Sequence, residues 1–273
     1  MKPMKYTLIF FLYALWIALG TSIFAESSED ELNSVKVIIS GSKEAEGGPW
    51  GKEDDQKKSF KDVKIFDDIN EEHAKNQMKQ AAKQFNESFK IFSKAKEDKE
   101  KKEQEFSKRV YYFRKTEGNW REKEAKRKEK AILDSIIIKG RRQAITKLIK
   151  AMIAIDRIKN RNVISNNVYI DLKASVYREY IKHQFNLKNY NQSADILEKY
   201  IGLSETYEQE AQPHKMLAIC YEYNQKYAAK YKENNIYQHY KNLKYEHLLR
   251  YTELMYGKDS SQYNRVLKKV TQN

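Results

Sequence analysis

The chain has 273 residues, with 52 Lys and Arg against 38 Asp and Glu (formal net charge +14), 9 Gly, 3 Pro and 1 Cys. One cysteine excludes an internal disulfide and a cysteine-built zinc site, and so few glycines argue against a turn-rich β protein or a glycine-cradled nucleotide fold. Charged residues at 33% beside hydrophobics at 40% disfavour an open sandwich or a membrane bundle.

The N-terminus sets Lys2 and Lys5 before an apolar run from Tyr6 to Leu19, followed by Gly20, Thr21, Ser22, Ile23, Phe24 and Ala25. A basic start, an apolar stretch and a small residue at its end are the order of a secretory signal, with cleavage expected after Ala25. The run is short of the roughly 20 residues that span a bilayer; a retained anchor extended through Phe24 and Ala25 is the alternative. No cysteine lies near the junction, which disfavours a lipid-anchored form. Loss of residues 1–25 removes Lys2 and Lys5 and leaves a net charge of +12, from 50 minus 38. The expected location is therefore outside the cytoplasm. Basic charge ordinarily raises nucleic acid as a partner, but export argues against it. Acidic protein surfaces, anionic lipid or a polyanionic wall are left.

Residues 26–67 hold Gly41, Gly47, Gly48, Gly51 and Pro49 behind an acidic start at Glu26, Glu29, Asp30 and Glu31, and read as a flexible arm. Two short β-like pieces, 35–39 and 63–65, suit addition to a partner's sheet edge or docking on the body. The stretch from Gly47 to Lys52 is one residue short of a phosphate loop, contains Pro49, and has Glu53 where a hydroxyl belongs.

From residue 68 onward only four glycines and one proline occur, and a helical reading is nearly forced. Asp68 with Glu71 resembles a capping box. Met78, Ala82, Phe85, Phe89 and Phe92 recur at spacings of four and three. The register passes through Lys96, Lys99 and Glu103 and returns at Phe106, Val110 and Phe113. The spacing predicts one helix of about 45 residues, about 65 Å long, with a solvated middle. Gly118 is its expected stop, and Asn119 with Glu122 the cap of the next helix. Residues 94–130 carry 15 basic and 9 acidic side chains. They read as a water-facing pair of helices laced with i,i+4 charge pairs or, because of a single indole, as a docking face around Trp120, Arg121, Lys126, Arg127 and Lys128. The segment 131–157 is the most apolar: Ile132, Leu133, Ile136, Ile137, Ile145, Leu148, Ile149, Met152 and Ile155 are expected in the core, with Gly140 breaking the helix or tolerated within it.

Near residue 163 the aromatic usage switches. Ten of eleven Phe precede it and sixteen of twenty Tyr follow it. This divides the helical part into a long-helix subdomain, 68–162, and a Tyr-rich subdomain, 163–273. Tyrosines bury a ring and keep a hydroxyl at the rim, which suits helix pairs stacked in a thin layer. Tyr190-Asn191-Gln192 returns as Tyr223-Asn224-Gln225, and the surrounding Leu217, Ala218, Tyr221, Tyr227 and Ala228 are similar to a tetratricopeptide (TPR) helical hairpin, though no proline closes either unit. Pro213 starts a helix after a loop at 204–212. The last helix runs from about Asn235 to Tyr256, with Ile236, Tyr240, Leu243, Tyr251 and Leu254 on one face and Gly257 as its stop.

Chemistry-bearing motifs are absent. His73, His183, His214, His239 and His247 form no HExxH and no i,i+4 pair. His247 falls on an apolar helix face and reads as a core histidine. Cys220 has apolar neighbours and reads as a buried, inert thiol. No catalytic, cofactor-binding or metal-ligating residue is assigned, no cofactor is expected, and the chain is not read as an enzyme.

The combination of a signal, charged long helices and a Tyr-rich helical C-terminal part resembles the flagellar-coiling proteins of spirochaetes. Two stretches carry the likeness: Ile-Asp-Leu-Lys-Ala-Ser-Val-Tyr at 170–177 and Pro-His-Lys-Met-Leu-Ala-Ile-Cys-Tyr-Glu at 213–222. The resemblance implies an exported, all-α structural protein in the sheath of the periplasmic flagellum, which imposes filament curvature and supports motility. Its partners would be other filament or sheath proteins, with possible self-assembly and with neither nucleic acid nor a small-molecule substrate. The alternative is a periplasmic TPR-like adaptor that holds an envelope protein or peptide. A solenoid normally needs three repeats and only two candidate units are written here, which favours the first reading.

Overall fold

A computed structural model of the chain describes residues 66, 67, 69–108 and 118–271, with side chains from Arg121 onward in the last stretch. The signal run, both β-like pieces, Val110 and Phe113 lie outside the described residues. Among the described residues there are nine helices and no strand, as expected of an all-α chain. They are α1 (Glu72–Ser107), α2 (Gly118–Asp156), α3 (Arg161–Ile164), α4 (Asn167–Asn186), α5 (Tyr190–Ile201), α6 (Glu205–Glu208), α7 (Ala211–Lys230), α8 (Asn234–Tyr256) and α9 (Ser261–Thr271). The larger helices stack in single file: α1 on α2, α2 on α4, α4 on α5, α5 on α7, α7 on α8 and α8 on α9.

Of the predicted seam of α1, Met78, Ala82, Phe85 and Phe92 are buried and Phe89 is half-buried, and Ala74, Ala81, Ser88 and Ala95 are buried beside them. The helix starts later than the capping box implies, because Glu71 is itself the N-cap and makes no side-chain cap bond. It has 36 residues instead of about 45, closing just after its last buried side chain, Phe106. Gly118 opens α2 instead of stopping α1.

Helix α2 runs unbroken for 39 residues through Gly140. The glycine is there for approach, not for a break: a Cβ at Gly140 would sit 2.3 Å from the Ala95 Cβ. Of its expected core residues, Ile145, Leu148 and Ile155 are buried, Leu133, Ile136, Ile137 and Met152 are half-buried, and Ile132 and Ile149 are exposed. Apolar residues on α2 extend around more of the helix than its neighbours cover.

The main core runs without interruption from Phe66 and α1 through α2, α4 and α5 to Cys220 and Tyr221 in α7. A smaller cluster of Ala218, Leu248, Tyr251 and Val266 fixes α8 and α9 to α7. Asn160 and Asn166 cap α3 and α4 through their side-chain oxygens. Both long hairpins turn in the same way. Lys188 and Lys232 take left-handed φ values of 60° and 59°. In each turn the next amide bonds back five residues, Asn189 to Gln184 and Glu233 to Ala228. These are Schellman closures carrying lysine where glycine is usual. The Tyr-Asn-Gln phrase therefore does not mark the structural period. Tyr190 is the first residue of α5, whereas Tyr223 lies inside α7; what they share is contact, with ring centroids 5.0 Å apart. Helix α9 follows the expected last helix and is opened by Ser260, whose hydroxyl accepts from the Tyr263 amide.

Candidate functional site

Two parts of the fold are candidates for function: a charged helical stalk and the polar joints of the Tyr-rich body. The antiparallel pair α1 and α2 divides at the Ala95–Gly140 contact. On one side both helices pack against α4. On the other, within residues 96–107 and 121–139, the only buried described residue is Phe106. The expected water-facing pair of helices is thus a two-helix stalk. The α2 portion is about 28 Å long at 1.5 Å per residue. Its side chains are organised locally: Lys126 meets Glu122 at 2.6 Å, Lys128 meets Glu124 at 2.7 Å, and Lys102 meets Glu105 at 2.6 Å. The lysine hydrogen bonds hold the Glu122 and Glu124 carboxyls below their ordinary range.

Trp120 is the third residue of α2, and its side chain lies outside the described residues. Arg121, Lys126, Arg127 and Lys128 are all exposed. At about 100° per residue, Arg121 and Lys128 fall within about 20° of each other, while Lys126 and Arg127 are turned about 140° and 120° away in opposite senses. The helix brings the first two together and distributes the other two around its circumference. Charge content was legible in the sequence; the face each charge occupies follows only once the helix and its register are known.

At the division between stalk and body sits a buried histidine that sequence reasoning did not single out. His183 of α4 is 1% exposed, its ring edge-on to Phe92 at 4.7 Å. Arg141 lies over the Phe92 ring at 4.6 Å and places Nη1 3.2 Å from His183 Nδ1. Arginine can only donate, so Nδ1 accepts and the ring is the neutral Nε2–H tautomer. That nitrogen lies 3.3 Å from Glu179 Oε1. Burial, then the charges of Arg141, Lys182 and Lys96, push the His183 pKa down to about 3.

The tyrosines of the body hold helices together through their hydroxyls. Arg178 of α4 donates to Tyr200 Oη of α5 and to Glu210 at 2.7 Å, and Tyr200 donates to Glu210 at 2.8 Å. Tyr207 donates to Asp171 at 2.9 Å. A second network joins α5, α6, α7 and α8. Tyr221 donates to Glu198 at 2.6 Å and His247 Nε2 lies 3.3 Å from the same oxygen. The Nδ1 atoms of His247 and His214 are 3.0 Å apart, and His214 Nε2 donates to the Glu208 carbonyl at 2.9 Å. Arg250 forks onto the Glu208 carboxylate with two bonds of 3.0 Å. Between the two Nδ1 atoms one ring donates and the other accepts, so the pair links the Glu208 carbonyl at one end to the Glu198 carboxylate at the other. Burial holds the His214 pKa down, and the His247 hydrogen bond, opposed by burial, holds the Glu198 carboxyl below its ordinary range. His247 is thus a core histidine, as expected, but one wired to a second. Cys220 is fully buried and its thiol is pushed up by burial, which leaves it inert.

These joints fasten helices to one another. Among the described residues no group of three or more His, Cys, Asp or Glu is arranged to hold a metal, and no helix is long and apolar enough to cross a membrane. Against known proteins, the model of a family described as FcpA matches residues 1–273, the whole chain. No curated protein matches it.

Proposed function

The chain belongs to the FcpA family, the flagellar coiling proteins, and from that premise we propose that it is a non-enzymatic sheath subunit of the periplasmic flagellum, exported with cleavage after Ala25. In this reading it coats one side of the filament, imposes curvature and so supports motility. The observation that carries the reading beyond family membership is the division of one run of packed helices into a tightly joined body and a thin charged stalk. Such a subunit has two unlike surfaces to offer. Contacts through the body set the spacing between neighbouring sheath subunits. Contacts through the stalk reach a second filament or sheath protein, with Trp120 as anchor and Arg121, Lys126, Arg127 and Lys128 steering the approach. A coat whose preferred spacing differs from that of the filament beneath it, and which covers one side only, bends the filament. The two helical hairpins of the Tyr-rich part, TPR-like in phrasing, serve as further contact surface.

The test is biochemical. Filaments purified from the protein's own organism are expected to contain it, and filaments from cells lacking it are expected to be straighter and the cells poorly motile. Absence of the protein from purified filaments, or unchanged curvature without it, overturns the reading.

A further inference from the structure

One side of α2, from the base of the stalk into the body, carries a surface that the fold leaves uncovered. Ile138, Ile149 and Ile153 are 39%, 42% and 48% exposed. Lys139, Arg142 and Lys150 are exposed among them. At about 100° per residue all six fall within about 120° of arc, one continuous stripe about 22 Å long. The basic residues beside it differ in kind: Lys147 is taken by Glu87 at 2.6 Å and Arg141 by His183. No such partner engages Lys139, Arg142 or Lys150 among the described residues, and the stripe itself contains no carboxylate. Next to it, Asp156 is already engaged by Lys173 at 3.3 Å. The surface dips shallowly around Arg142, between Ile138 and Thr146.

We propose that this stripe is a docking site for an acidic amphipathic helix of a different protein. The straight row of isoleucines at helical spacing offers ridges for a second helix laid alongside. The three cations without a local counter-charge call for carboxylates on that helix, and Arg142, at the centre, presents the planar fork suited to one of them. Charge also excludes two other occupants. A two-fold contact between copies sets the same patch against itself, three cations against three. Insertion into a membrane surface would bury Arg142 between the isoleucines, and the stripe lacks the broad apolar face and aromatic anchors of an interfacial helix. The site is separate from the stalk tip, and it rests on the sheath reading only in supplying a crowded neighbour; the binding itself does not depend on filaments.

The experiment uses the purified mature chain and three probes: a synthetic amphipathic peptide with leucines on one face flanked by glutamates, the same peptide with lysines for glutamates, and vesicles of phosphatidylglycerol. Fluorescence anisotropy is expected to show binding of the acidic peptide only, weakening as salt is raised. Ile149→Glu is expected to reduce that binding at least tenfold with an unchanged helical circular dichroism signal and melting temperature. Arg142→Ala is expected to reduce it and to flatten its salt dependence, since the charge pair is lost but the apolar contact is kept. Equal binding of both peptides, no effect of Ile149→Glu, binding to vesicles instead of peptide, or self-association that Ile149→Glu abolishes each overturns the proposal. Incorporation of wild-type chain into filaments is measured apart: its absence sinks the sheath reading and leaves the peptide result standing.

Discussion

Stalk and body are built from the same two long helices, yet either side of Ala95 and Gly140 they are held by different forces. In the body, α1 and α2 bury Met78, Phe85, Leu148 and Ile155 against each other and against α4. Among the described residues of the stalk they bury Phe106 alone, and they are covered with lysine–glutamate pairs one turn apart. Such pairs favour each helix separately; they do nothing to hold two helices together. The stalk's two-helix pairing is therefore borrowed from the body through helix continuity. This is a way to build a projecting element that is extended and polar without being a loop.

Removing buried volume on each side tests that contrast most strongly. Leu148→Ala in the body is expected to cost about 2–5 kcal/mol in global stability. Phe106→Ala is expected to leave the melting temperature nearly unchanged and to speed amide exchange over 97–107 alone. Equal losses of global stability in the two variants would erase the distinction between stalk and body.

Acid is expected to act on the body and its junction. The His183 pKa is held at about 3 in the folded protein, and that of His214 is also lowered, against an ordinary value of about 6.5 in the unfolded chain. Unfolded protein therefore takes up protons that the folded protein refuses. Stability is complete above about pH 6.5 and is lost progressively as pH falls from there toward 3, by an amount on the order of a few kcal/mol. Urea titrations across this range measure it. In His183→Gln the slope should become markedly shallower, with any remainder assigned to His214 and, toward the acid end, to carboxyls held low in the fold such as Glu198 and Glu87; an unaltered slope would show that His183 does not titrate as a buried neutral ring.

A smaller effect is expected at the pivot. Gly140→Ala improves helix propensity by up to about 1 kcal/mol, but its new Cβ meets the Ala95 Cβ at 2.3 Å. Overpacking of this kind costs about 1–3 kcal/mol, so the net change should be destabilising, and Ala95→Gly in the same chain should recover most of it. The smallest effect is expected in the turns: Lys232→Gly relieves a left-handed lysine and should stabilise the α7–α8 hairpin by about 0.5–1 kcal/mol, read from the urea midpoint.

What could be read from the sequence follows from which residues announce their surroundings. The α1 seam was legible because its buried positions are apolar and spaced by three and four. Gly140 was ambiguous because the same residue serves a break and a close approach, and only the facing Ala95 decides between them. Burial of His247 was legible from the apolar face it falls on, whereas His183 and His214 carry no such sign, and the ring partners of all three come from other helices. The turns at Lys188 and Lys232 were hidden because lysine stands where glycine would have marked a Schellman closure. The tyrosine switch at residue 163 was legible; beyond it, the hydroxyls of Tyr200, Tyr207 and Tyr221 bond carboxylates of other elements. Of the candidate docking residues, exposure followed from charge. The open stripe on α2 did not, since Ile149 reads as core when its helix is taken alone.

The central claim is that the stalk docks on a partner and that this docking bends the filament. Electron microscopy of flagella purified from cells whose protein carries Trp120→Ala measures it directly, provided the variant melts at the wild-type temperature. The account predicts filaments with less of the protein bound and with visibly reduced curvature, since an anchoring aromatic costs about 2 kcal/mol or more when truncated. Filaments that keep full occupancy and full curvature would contradict it and remove the stalk tip from the contact.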